Sequence, residues 1–573
     1  MRRKGQWLCT GSASFISLSA ISTVIACSQI QTTEKFVTTD IGDLKGEFNP
    51  NSAQNEQLIN YVAQIRQNGS KKQKALLEAK TMLIIASGSI KDNAFNQSSW
   101  EAVSKFSQEV QNFNNAYYEN KVYSHPNLFN AYDYAISKNF KFWILSGFQH
   151  QSAFEQWIQI GKNKQRFENN KTLVIAVDWF PAADSGSVLA ELKGHILGLD
   201  FKTQDGAFIA AYATAQLLKE VNQATQALAR QEQISTEQFP SEKTYFNTFG
   251  GGDFAGVTNF NYGFYEGMRQ FNEDSLAAGN NYLVRTTTPI ELTTGFGLTN
   301  DARAAIQRQL NNVHQPQVIF PVAGSLTGAT IDEIKRKGQN QWVIGVDTNQ
   351  ALAFPADKAN ILTSVEKRVS VAVYKALLTV YGLNYDQKNN VKEASTLILK
   401  NGFHFNDDQL LVDQTGQLAN FKFQGSFNDG FIRNSASTLN PSLKFIPQGQ
   451  QEPITYAQCF DEIVNQKWIE FFGQANDVTS IGRLKTPIGQ QTSEGKTGLK
   501  PSEKVINDFT QAMKDWTKWT ANPEQFAQLA SQVIEANIKQ VLALKNVAFG
   551  YMNNQNLKNY FEPILKLINE QKF

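Results

Sequence analysis

The chain reads as an α/β protein with two doubly wound parallel sheets followed by a helical extension, and three observations predict it. Seven short β-rich runs (Met82–Ala86, Phe142–Leu145, Leu173–Val177, Tyr245–Phe249, Val318–Val322, Trp342–Val346 and Ile361–Val365) each precede a polar or Gly-containing turn, and helix-period segments follow these turns. Continuous apolar strands that alternate with helices form parallel sheets covered on both faces. The length, 573 residues, exceeds what one core holds. The composition, 41% hydrophobic and 18% charged, suits a packed globule and excludes a largely disordered chain or a polytopic membrane protein.

Taken in order, the first element is a leader. Arg2-Arg3-Lys4 is a positive start, and Trp7 to Ala26 is uncharged, with its apolar weight at Phe15-Ile16 and Val24-Ile25. Val24-Ile25-Ala26-Cys27 resembles a bacterial lipobox. That resemblance implies cleavage before Cys27 and a diacylglyceryl thioether on it. Two acyl chains anchor stably where one would be marginal. The alternative is an uncleaved N-terminal anchor, and both place the bulk of the chain outside the cytoplasmic membrane. Ser28 to about Ser52 is then a polar tether.

The three cysteines are Cys9, Cys27 and Cys459. With Cys27 lipidated and Cys9 in the leader, no internal disulfide is possible, and Cys459 is expected as a small buried hydrophobe. The five histidines are scattered, with no HExxH and no CxxC, so no metal or other cofactor is expected. A formal net charge of +2 gives no general pull on phosphate backbones, which argues against nucleic-acid binding.

Residues from about 53 to 79 are predicted helical with a break at Gly69. The two lobes of the α/β region follow, the first over about 80–195 plus a late return segment and the second over about 200–360. Residues 386–454 form an insert whose patches at Leu410–Val412 and at Phe421 and Phe423, around a turn at Gly416, suggest a hairpin. From about 455 the pattern is helical to the end. Asn522-Pro523-Glu524 starts one helix there, and Phe526, Leu529, Val533, Ile534, Ile538 and Val541 line its apolar stripe.

In open α/β sheets ligands sit at the carboxyl ends of strands. Four strand-end segments stand there. They are Ala86-Ser87-Gly88 through Asp92, Phe95, Asn96 and Trp100; Phe201 to Phe208; Gly250-Gly251-Gly252 with Phe260 to Gly267; and Ala323-Gly324-Ser325 with Gly345 to Gln350 and Leu362 to Arg368. Asp92 is typed as a helix N-cap. The order of these motifs, with Gly147-Phe148 between the first two, resembles the basic membrane protein family of solute-binding lipoproteins, which includes bacterial purine-nucleoside receptors. The resemblance covers about 81 to 385.

It implies a two-lobed, periplasmic-binding-protein-like (type I) fold that closes over one ligand and serves the permease of an ABC importer, as a monomer and without catalysis. The implied ligand is a purine nucleoside, held by Phe95, Asn96, Asp178, Phe260, Gly324, Asp347 and Lys367. Phe95 and Phe260 would stack on the base from opposite lobes, and Asp347 would accept from both hydroxyls of a vicinal ribose diol. Lys367 would donate to the ligand or to Asp347, and Gly324 would allow close backbone approach. One position departs from the pattern: where the family's first motif opens with Asp, this chain has Ala86.

Two further classes have partial signatures in the chain. Gly250-x-Gly252-x-x-Ala255 has the form of a dinucleotide fingerprint but lacks an acidic strand end about 20 residues on. Gly489 to Gly495-Lys496-Thr497 has one residue too many for a P-loop, so an enzyme is not expected. A surface lipoprotein with a degenerate ligand site, acting through its C-terminal extension, is the alternative to the receptor.

Overall fold

The computed structural model describes residues 53–472, apart from 112–115, 121–124, 182–186, 232–242, 281, 289, 312–314, 384–401 and 427–429. The expected leader, the expected tether with Cys27, and residues 473–573, with the helix start expected at Asn522, lie outside the described residues.

Five strands build the first lobe: β1 (Thr81–Ile85), β2 (Ala116–Asn120), β3 (Phe142–Ser146), β4 (Leu173–Val177) and β5 (Ile196–Phe201). Five build the second: β6 (Lys243–Gly250), β7 (Leu283–Arg285), β8 (Val318–Val322), β9 (Trp342–Asp347) and β10 (Ile361–Lys367). Every residue of β1, β3, β4 and β8 is buried, as strands covered on both faces require. Both sets take the same order, β5-β4-β3-β1-β2 and β10-β9-β8-β6-β7, with parallel pairing throughout.

The region after residue 402 corrects the expected hairpin. His404–Phe405 (β11) pairs with Leu411–Val412 (β12), so a small hairpin does form. Phe421–Gly425 (β13) is not part of it; it joins the first sheet, parallel to β5. Ile432–Asn434 (β14) then adds to the second sheet, antiparallel to β10. The open edges of β5 and β10 present unpaired backbone groups, and these strands satisfy them. Three strands were not anticipated within the lobes: β2, β5 and β7. Polar or Gly residues interrupt their apolar runs: Glu119 and Asn120 in β2, Gly198 and Asp200 in β5, Arg285 in β7.

The chain thus passes between sheets three times among the described residues: after Phe201, after Lys367, and between Gly425 and Ile432. The crossings bind one another. Lys202 donates its backbone N–H to Gly425 O at 2.9 Å, and Arg368 donates to Phe431 O at 3.0 Å. Asn434 Nδ2 reaches Gly206 O at 2.9 Å. Short crossings tied this way form a hinge.

Helices cover the sheets. The Phe95–Val110 helix packs on Val369–Val380, so the chain returns to the first lobe after β10. Thr203–Gln231 packs along Ala255–Ala277, and Gly263 and Gly267 let them touch: a Cβ on either would run into the carbonyl of Gln204 or Phe208. Tyr456–Phe472 lies on the Thr203 helix, where Phe471 meets Phe208 and Tyr212 edge-on at 5.0 and 5.2 Å. Cys459 is buried there, as expected. N-terminally, helices Ala53–Asn68 and Lys71–Leu77 flank Gly69, and Ser70 and Gln73 form a capping box.

Candidate functional site

A cleft opens where the carboxyl ends of the two sheets face each other. It is lined from the first lobe by the turns after β1, β3 and β4, and from the second by those after β6, β8, β9 and β10. All seven expected ligand residues line it together: Phe95, Asn96, Asp178, Phe260, Gly324, Asp347 and Lys367.

The charged part of the lining is a triad. Asp178 follows β4 and Asp347 ends β9, at equivalent places in the two lobes, and both hold a left-handed backbone with φ of 65°. That conformation is costly for a non-glycine residue and turns the side chain out of the strand toward the cleft. Lys367, at the end of β10, donates to Asp178 Oδ2 at 2.6 Å and lies 3.3 Å from Asp347 Oδ1. Burial lowers the Lys367 pKa, but the carboxylates of Asp178 and Asp347 outweigh it and leave the pKa above the ordinary lysine value. Burial pushes Asp178 up to about 6 against the pull of Lys367. Two acids sharing one base leave a carboxylate in surplus.

The Lys367 ammonium lies 4.6 Å from the centre of the Phe95 ring, 5.7 Å from Phe260 and 5.9 Å from Phe201. These are cation–π distances, so the aromatic faces help to compensate a buried ammonium. Phe260 also packs edge-on against Phe320 at 6.1 Å and is almost wholly buried, so it is a core ring with one side on the cleft.

Asp92 does cap a helix, though from within the turn that precedes it. Its Oδ1 accepts from the backbone N–H of Ala94 and Gln97, and its Oδ2 from that of Asn96. Burial lifts its pKa to about 6 despite the Gln97, Ala94 and Asn96 backbone bonds that pull it down. The Asn96 amide donates to Ser87 O and to Asp92 Oδ2, each at 2.9 Å, and so braces the turn that carries Phe95.

Gly324 does allow close approach, but to the opposite lobe: a Cβ there would sit 2.6 Å from Ala94 Cβ. Thr348 Oγ1 donates to Asn93 O at 3.2 Å beside it. A Cβ on Gly256 would come within 3.1 Å of Asp178 Oδ2. The lobes therefore meet closely around the triad. Ala86 is buried among the apolar residues behind the first sheet and does not line the cleft.

Several lining residues were not singled out from sequence. Phe148, after β3, and Phe254, after β6, stack across the cleft with their planes 20° apart, and Phe296 lies beside Phe254 at 6.0 Å. Gln149 and Ser87 form a neutral polar pair, with Gln149 Nε2 donating to Ser87 Oγ at 3.3 Å. The available signal was position. Phe148 and Gln149 directly follow a strand and a glycine with φ of 115°, and Phe254 directly follows the glycine run and Asp253.

Two sheets hinged by three crossings around an interlobe cleft define a solute receptor, a protein that closes over a small molecule. Residues 79–392 match the family described as ABC transporter substrate-binding protein, PnrA-like, and the chain belongs to that family. Among solved structures, a solute-binding protein of an ABC transporter system from Aeropyrum pernix K1 is 16% identical with a TM-score of 0.44, covering 76% of this chain and 98% of that one. An ABC transporter periplasmic solute-binding protein from Actinobacillus succinogenes 130z with bound D-allose is 14% identical with a TM-score of 0.37, covering 52% and 91%. No curated protein matches the chain. The chain is accordingly a substrate-binding protein of an ABC transporter, with a small-molecule ligand and a permease as its partners, acting outside the cytoplasm. Among the described residues no helix is long and apolar enough to cross a membrane, and no group of His, Cys, Asp and Glu is placed to hold a metal ion.

Proposed function

We propose that this substrate-binding protein captures a nucleoside, with a purine as base, and that a lipid on Cys27 holds it to the outer face of the membrane. The observation that carries the ligand reading is the pairing of two chemistries in one cleft. The Asp178–Lys367–Asp347 triad suits a polyol, because a carboxylate accepts from two vicinal hydroxyls while the ammonium donates to a ring or hydroxyl oxygen. The Phe95, Phe260, Phe148 and Phe254 rings suit a flat heterocycle, for which stacking contributes about 1–3 kcal/mol per base. A nucleoside carries both parts. Hinge closure would bury it without any bond being made or broken.

Inosine, guanosine or adenosine should raise the melting temperature of the purified chain, and Asp347→Ala should abolish the rise. A flat response across a nucleoside panel would count against the reading. Radiolabelled palmitate should enter the chain in cells and be lost in Cys27→Ala; labelling that survives the substitution would refute the anchor.

One observation favours a second reading, a surface lipoprotein that acts through its C-terminal extension: Ala86 is buried behind the sheet and offers the cleft no polar group. A chain that binds no nucleoside yet retains partners through residues 455–573 in a pull-down would support it.

A further inference from the structure

The neutral end of the cleft carries an inference of its own, which rests on the nucleoside reading. We infer that Gln149 reads the edge of the base and sets which purines are accepted. Gln149 opens the Gln149–Ile158 helix and is half-buried in the cleft lining, directly after Phe148, whose ring stacks on Phe254. Its amide is held from one side by Ser87, through the 3.3 Å contact from Nε2 to Oγ. On the other side its Oε1 lies over Gly147, where an added Cβ would approach it to 2.9 Å. The triad, by contrast, is charged and suits hydroxyls.

An amide carries a donor and an acceptor side by side. A 6-amino purine presents a donor beside the N1 acceptor, and a 6-oxo purine presents an acceptor beside the N1–H donor. A half-turn of the amide matches either one. Ser87 permits both orientations because a hydroxyl accepts from Nε2 in one and donates to Oε1 in the other. The cleft therefore admits adenosine and inosine alike.

A carboxylate at the same place accepts only. It matches guanosine, which presents N1–H and the 2-amino group together, keeps only the N1–H bond to inosine, and meets the N1 lone pair of adenosine. Glu in the first turn of a helix is favourable to the helix dipole, so Gln149→Glu should fold as the parent does. Bidentate matching of this kind is worth about 1–3 kcal/mol per base, or very roughly five- to a hundredfold in affinity.

The test is calorimetric titration of the purified chain and its Gln149→Glu and Gln149→Leu variants with adenosine, inosine and guanosine, with circular dichroism to verify folding. The parent is expected to bind adenosine and inosine within about tenfold of each other. In Gln149→Glu the preference for guanosine over adenosine should rise at least about tenfold, and Gln149→Leu should weaken adenosine and inosine alike. A parent that binds nucleosides while Gln149→Glu leaves the guanosine-to-adenosine ratio within about threefold overturns this role and spares the nucleoside reading. A parent that binds none of the three overturns both.

Discussion

The two lobes share one strand order, and their fourth strands end on an aspartate with the same left-handed backbone, yet they use that scaffold differently. In the first lobe Asp178 reaches across the cleft to Lys367 at 2.6 Å; in the second, Asp347 meets the same lysine at 3.3 Å within its own lobe. The lysine itself has Phe201 as its counterpart at the end of β5. Their outer cores differ too. Behind the first sheet Trp143 stacks with Tyr132 and meets Phe154, Trp157 and Phe167; behind the second lie Ile306, Leu310, Leu326, Ile331 and Ile334. Repeated topology supplies two sets of strand ends, and the single residue at each end decides the chemistry.

The sharpest way to break the comparison is Lys367→Met. It strands two carboxylates, one in each lobe, with no ammonium between them, and should destabilise the ligand-free chain by about 3–5 kcal/mol. Denaturant unfolding measures this, and a change under 1 kcal/mol would show that the triad is solvated rather than buried.

Core truncations address the two outer cores. Trp143→Ala should cost about 3–5 kcal/mol and Leu326→Ala about 2–5 kcal/mol, each by leaving a cavity. If the lobes unfold separately, two transitions should appear in calorimetry, with each variant lowering only its own.

Gly263→Ala tests the packing of the second lobe's long helix on the hinge-side helix. The added methyl meets the Gln204 carbonyl and should cost about 1–3 kcal/mol. Gly338→Ala serves as the control for glycine removal, with open space around the added methyl but a φ of 62°.

The smallest expected effect is in pH. The Asp178 carboxyl is raised to about 6 by burial, so the folded state holds its proton more tightly than the unfolded state does. The stability this group contributes is present below about pH 4 and lost as pH rises through about 6. On acidification from pH 7 to 4, the parent should therefore gain stability relative to Asp178→Asn, as read by thermal melting at fixed salt. An unchanged difference across that range would place the Asp178 carboxyl at its ordinary value.

Much of the site was legible because it lies at strand ends. Asp178, Asp347 and Lys367 each follow or close an apolar run and Phe95 opens the helix after one, and alternation alone brings such positions to one edge of a sheet. Phe148, Gln149 and Phe254 occupy the same kind of position, but nothing local separates a lining aromatic from a core one in a chain with 40 Phe. Phe260 shows the difficulty, being both. Nor did local pattern tell that the glycine at 324 faces Ala94 of the opposite lobe, or that Asn96 turns its amide to Ser87 and Asp92.

The sequence by itself determined the alternation of strands and helices and the residues that stand where strands end, because these follow from periodicity along the chain. Which partners those residues find was decided only by tertiary structure. β13 is broken by Lys422 and Gln424 and β14 has three residues, so neither announces its sheet, and they take their places because β5 and β10 leave backbone groups unpaired. The Lys367 bridge likewise joins residues 189 positions apart in the chain. Its geometry arises where two lobes close on each other, and the order of residues within either lobe does not encode it.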